Sequence, residues 1–121
     1  MARAPSHRPE RIAGLVQETI AQALAQELKD PRVGFVTVTG VTVSPDGGHA
    51  TVRVSVLGTD DEKTKALEGL DSARGFLRTY VARSLRLRST PDIRFELDRG
   101  LEHAAHINRL LAKLKHPEEQ S

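Results

Sequence analysis

The sequence has no cysteine and no tryptophan among its 121 residues. Without cysteine there are no disulfide scaffolds, thiolate zinc sites or cysteine nucleophiles, and the composition suits a reducing cytosol. Aromatic residues are nearly as scarce. Phe35, Phe76, Tyr80 and Phe95 are the whole set, which disfavours a site built from several stacked rings. No apolar run approaches the roughly 20 residues that a membrane span requires, so no membrane partner is expected. The opening Met1-Ala2-Arg3-Ala4-Pro5-Ser6-His7 has no apolar stretch behind its charge, and no secretory signal is expected there.

Motifs for chemistry are missing too. There is no Walker loop, and Asp46-Gly47-Gly48 is better explained as a hairpin turn. Nothing resembles a nucleophile elbow. His103 and His106 stand one helical turn apart, but no spacing supplies further ligands, and a packed histidine is the better reading. No catalytic residue, metal or cofactor is expected.

What is present is charge, unevenly placed. Lys and Arg number 18 and Asp and Glu 16, for a net charge of +2. That total is too small to name a partner. Residues 59–72, however, carry two bases and five acids, and residues 73–90 carry Arg74, Arg78, Arg83, Arg86 and Arg88 with no acid. An acidic block therefore borders a compact arginine block. A single-sign patch of this kind attracts an anionic partner while the whole chain stays near neutral.

The periodicities predict one α+β domain over residues 1–115 and a polar, disordered tail over 116–121. Ile12, Leu15, Val16, Ile20, Ala23 and Leu24 repeat at helical spacing. That helix should stop near Leu28, because Pro31 disfavours helical geometry at Asp30. Two β-branched runs follow, Phe35–Val43 and His49–Leu57. They read as an antiparallel hairpin with one wet face, and Gly40 suggests a bulge. Thr59 and Glu62 form a capping box. The helix they open is interrupted at Ser72-Ala73-Arg74-Gly75, and a stripe of Phe76, Leu77, Tyr80, Val81 and Leu85 restarts it to about Leu87. Ile93–Leu97 is a third strand, and Leu101, Ala104, Ile107, Leu111 and Leu114 mark a last helix. A right-handed crossover through the middle helices lays strands two and three parallel. The expected product is a mixed three-stranded sheet with helices on one face.

This α-β-β-α-kink-α-β order resembles the type II K-homology fold, in which a Gly-x-x-Gly loop between two helices clamps the backbone of about four nucleotides. Here Ser72 replaces the first glycine. The surrounding text resembles one family, bacterial ribosome-binding factor A, whose members carry an Ala-x-Gly kink. Ala73-Arg74-Gly75-Phe76-Leu77-Arg78 is similar to that kink. Further matches are Arg11-Ile12-Ala13, Glu27 to Gly34, Thr39-Gly40-Val41, Leu85-Arg86-Leu87-Arg88 and Thr90 to Phe95. The resemblance spans roughly residues 8–114. It implies a non-enzymatic, cytoplasmic, monomeric assembly factor. Such a factor binds the immature 30S subunit and its 16S rRNA and assists late maturation, including that of the RNA's 5′ end. It leaves before translation and is associated with growth in the cold.

The residues support RNA binding on their own terms in part. On a helical wheel Arg78, Arg83 and Arg86 share an arc opposite Phe76, Leu77, Tyr80 and Leu87. Arg74 stands at a helix start, where free N–H groups favour a phosphate. Gly75 offers no Cβ to block a phosphate backbone. The candidate RNA contacts are therefore Ser72, Ala73, Arg74, Gly75, Arg78, Arg83, Arg86 and Arg88. Arg8, Arg11, Lys29 and Arg32, with Arg3, form a second rank. The rivals are a general single-stranded nucleic-acid binder, a module docking an acidic protein partner, and a plain solvated helix face.

Overall fold

The computed structural model describes residues 8–115, except for the side chains of residues 101–106 and 115. Arg3, the tail from 116 to 121 and the side chains of His103 and His106 thus lie outside the described residues. The elements are α1 (Arg8–Gln26), β1 (Val36–Val43), β2 (His49–Val56), α2 (Asp60–Ser72), α3 (Arg74–Leu85), β3 (Asp92–Leu97) and α4 (Gly100–Lys115). The order is the expected one.

Helix α1 buries Ala13, Val16, Thr19, Ile20 and Ala23. Leu15, which its spacing puts on that stripe, is 42% exposed. Thr19 takes the buried place, with its hydroxyl donating to the Leu15 carbonyl at 2.8 Å. The helix ends at Gln26, just short of the predicted stop. The N–H groups of Glu27 and Leu28 both turn back to the Ala23 carbonyl, at 2.8 and 3.0 Å.

The sheet has the order β1-β2-β3. β1 runs antiparallel to β2, and β3 runs parallel to it. The predicted bulge is present. The ladder passes from Val38 opposite Val54 to Gly40 opposite Arg53, leaving Thr39 unpaired. The guanidinium of Arg53 lies over Gly40, where a Cβ would stand 2.7 Å from Nη2. Ala50, Val52, Val54 and Val56 are buried along β2. Alternation puts Thr37, Thr42, Thr51, Arg53, Ser55, Arg94 and Glu96 on the opposite, wetter face.

The core joins Val52, Val54, Val56 and Ile93 to Val16, Ile20, Ala23, Ala66, Leu70, Ala73, Leu77 and Val81. Thus α1, α2 and α3 cover one face of the sheet. α4 differs: Ile107, Leu110, Leu111 and Leu114 are all exposed, so this part of its apolar stripe does not enter the core.

Helix α2 opens on the predicted capping box. The Glu62 N–H donates to the Thr59 hydroxyl at 3.2 Å, and the Thr59 N–H donates to the Glu62 carboxylate at 3.2 Å. Its interior Gly69 has a packing reason, because a Cβ there would stand 2.8 Å from Cγ2 of Val33.

Candidate nucleic-acid interface

The break between α2 and α3 is a single residue. Ala73 takes φ −92° and ψ 2° and serves as both the C-cap of α2 and the N-cap of α3. Its N–H donates to the carbonyls of Gly69 and Leu70, and its own carbonyl accepts from Leu77. Its methyl group lies in the core with Leu70 and Leu77. By sequence Ala73 stands among the residues expected to meet RNA. The structure makes it the anchor of the joint, with its side chain turned away from solvent. Gly75, to which the pattern attributes the break, is the second residue of α3 and is exposed. A Cβ at Gly75 would meet nothing within 4 Å.

No side chain caps α3. The first backbone N–H bonded to the joint is that of Leu77, 2.9 Å from the Ala73 carbonyl. The preceding N–H groups, at Arg74, Gly75 and Phe76, therefore sit at the positive end of a helix dipole without intrahelical acceptors. Ser72 is exposed beside them.

The five arginines behave differently from one another. Arg74 pairs with Asp71 at 3.1 Å. Arg78 donates to the Thr90 carbonyl at 3.0 Å and approaches Asp92 at 3.7 Å. The two acids that bound the arginine block in sequence thus fold back onto its first two members. Both pairs are exposed, and exposed pairs are worth only about 0–1 kcal/mol, so a phosphate competes for these guanidinium groups on good terms. Arg83, Arg86 and Arg88 are exposed and have no carboxylate partner among the described residues.

Two placements depart from the helical wheel. The wheel sets Arg86 on the α3 face, but α3 ends at Leu85 and Arg86 is its C-cap in the left-handed region, φ 50° and ψ 43°. Its N–H closes the helix on the Ala82 carbonyl at 3.0 Å. The wheel also puts Phe76 on the core stripe. Only Leu77 and Val81 of α3 are buried, and Phe76 is 47% exposed. The ring stands over Tyr80, with centroids 6.2 Å apart.

Among the second-rank residues, Arg8 joins Arg88 along one cleft between the start of α1, the β1–β2 turn and the loop before β3. Arg11 and Lys29 are exposed on and just beyond α1. Arg32 is committed elsewhere. Its guanidinium grips Asp30 through both carboxylate oxygens, the shortest contact being 2.6 Å. That grip holds the Asp30 carboxyl below the usual carboxylate range and shapes the turn leaving α1. No sequence signal marks Phe76 as exposed or Arg86 as left-handed, since both depend on which residues of α3 the sheet and α1 accept.

Residues 8–111 match the family described as ribosome-binding factor A. The chain belongs to the ribosome-binding factor A family. A ribosome-binding factor A of Desulfitobacterium hafniense is 46% identical over 114 residues, which cover 94% of this chain and 91% of that one. The crystal structure of ribosome-binding factor A from Thermus thermophilus superposes with a TM-score of 0.65 at 28% identity, covering 74% of this chain and 94% of that one. A homology model of the Thermus thermophilus protein, fitted into a cryo-electron-microscopy map of its 30S complex, gives a TM-score of 0.61 at 30% identity. It covers 72% of this chain and 91% of that one. The mixed three-stranded sheet and its helices therefore belong to an architecture that members of the ribosome-binding factor A family share. Among the described residues no helix is long and apolar enough to cross a membrane.

Proposed function

We propose that this protein binds the immature 30S subunit and its 16S rRNA and assists late small-subunit maturation, including 5′-end processing of that RNA. It does so as a cytoplasmic, monomeric, K-homology-like binding domain rather than as an enzyme, and it supports growth in the cold. The RNA contacts assigned to it are Ser72, Arg74, Gly75, Arg78, Arg83, Arg86 and Arg88, with Ala73 fixing the joint they surround. Arg8, Arg11 and Lys29 widen this surface, and Arg32 contributes through the turn it stabilises.

One observation carries the reading. Arg83, Arg86 and Arg88 are exposed, without carboxylate partners among the described residues, on the segment that begins at the open start of α3. Arginine's planar fork bonds two phosphate oxygens at once, and N–H groups at a helix start donate to a further one. Family membership, and a relative fitted into a 30S map, support the small subunit as the source of that phosphate backbone.

Sucrose-gradient fractionation of a lysate tests the reading. The protein is expected with free 30S particles and absent from 70S ribosomes and polysomes. A protein that stays at the top of the gradient in low salt overturns it.

A further inference from the structure

Helix α3 secures itself to the core with Leu77 and Val81. Phe76 lies outside that core and is nearly half exposed. Tyr80 braces the ring from the next turn, 6.2 Å away and tilted by 42°. Seven residues beyond Phe76 the helix returns to within about 20° of the same direction, so Arg83 stands beside the ring, not opposite it as the sequence reading of the helix face has it. Phe76, Thr79, Tyr80, Arg83 and Ser84 line one groove, with Glu27, just past the end of α1, on its far wall. The residue before the ring is Gly75, above which space is open.

From this arrangement we infer that Phe76 is the stacking seat for an unpaired nucleobase, so that the interface takes single-stranded RNA in preference to a continuous duplex. The inference rests on the RNA-binding reading above and names the form of RNA that the same site accepts. An exposed aromatic ring stacks on the π-face of any base, and a cation beside it holds the adjoining phosphate. Here the cation is Arg83. The groove has one acid, and that acid sets a direction. Glu27 repels phosphate from its own wall and accepts hydrogen bonds from the amino groups of a base. The base therefore enters the groove and its backbone passes on the Arg83 side, towards Gly75 and the open N–H groups of α3. In a continuous duplex both faces of each base are already stacked on neighbours, and the ring has nothing to cover.

The test uses the full chain with a ten-nucleotide unstructured RNA and a duplex of the same length and sequence. Because the chain has no tryptophan, Phe76→Trp introduces a single indole at the seat, which red-edge excitation selects over the neighbouring Tyr80. Its emission is expected to be quenched by the single strand and little changed by the duplex. Phe76→Leu keeps apolar bulk without the ring and is expected to weaken single-strand binding roughly 5- to 100-fold, while leaving duplex binding and the thermal midpoint nearly unchanged. Arg83→Gln is expected to weaken both. If Phe76→Leu binds single strands like the parent while Arg83→Gln is impaired, the stacking seat is refuted and the arginine interface stands. If neither substitution matters, the RNA-binding reading of this face fails with it.

Discussion

The hydroxyl of Thr39 donates to a carboxylate oxygen of Asp98 at 2.6 Å, across 59 positions of sequence. Thr39 is the unpaired residue of the β1 bulge, and Asp98 follows the last residue of β3. The second oxygen of Asp98 accepts from the Gly100 N–H at 2.9 Å, the first residue of α4. One carboxylate therefore ties both edge strands and sets the departure of the last helix.

That tie gives acid sensitivity a definite sign. The Thr39 hydroxyl, followed by the Gly100 N–H, holds the Asp98 carboxyl below its ordinary range. Ser44 and Gly48 do the same for Asp46, and Arg32 for Asp30. A carboxyl whose folded pKa is depressed contributes stability above its unfolded value, and that contribution is lost as pH falls through the folded value. Stability is expected to decline below about pH 4, near the ordinary aspartate value. Thr39→Val is expected to lower the thermal midpoint at neutral pH and to raise the Asp98 pKa, read by carboxyl NMR titration.

Gly69 and Gly75 should respond in opposite ways to the same methyl group. Gly69→Ala places a Cβ 2.8 Å from Val33, in a buried contact between α2 and the loop before β1, and is expected to destabilise the fold. Gly75→Ala meets open space. At the second residue of α3 it is expected to stabilise the helix by less than the roughly 0.5–1 kcal/mol of a helix-interior site, and to weaken binding to small subunits by obstructing the backbone approach. Denaturant melts and subunit-binding assays separate the two effects.

Arg86 is the sole non-glycine residue with positive φ among the described residues. A side chain in the left-handed region costs on the order of 1 kcal/mol relative to glycine. Arg86→Gly is therefore expected to raise stability by about that amount while lowering affinity for small subunits. A variant that gains stability and keeps full affinity removes Arg86 from the interface.

Features that rest on a few neighbouring residues were legible in the sequence. Alternation at Ala50, Val52, Val54 and Val56, the Thr59/Glu62 box, the bulge near Gly40 and the helix stop before Pro31 are of this kind, and each appears in the structure. Rotation of a helix about its axis was not legible, because tertiary packing decides it. A wheel cannot tell whether Phe76 or Val81 marks the centre of the buried face of α3, since the sheet and α1 settle that. Nor does it show that Arg86 leaves the helix, since Leu85-Arg86-Leu87 has no glycine to announce a left-handed cap. The kink lies within the four residues that the pattern marks, but the break in the backbone falls at Ala73, with φ −92° and ψ 2°, and Gly75 is already inside α3. Asp71 and Asp92 look like the limits of the basic block, and folding turns them into partners of Arg74 and Arg78.

The salt dependence of binding to immature 30S particles tests the interface most directly, with the parent chain compared against Arg74→Gln, Arg78→Gln, Arg83→Gln and Arg86→Gln combined. Each phosphate contact contributes about 0.7 to 0.9 to the slope of log affinity against log salt. The expected result is weaker binding at low salt and a slope flattened by roughly 2.8 to 3.6 when all four arginines meet phosphates, with the fold intact by circular dichroism. Equal affinity and an unchanged slope contradict the arginine face of α3 as the surface that meets the RNA.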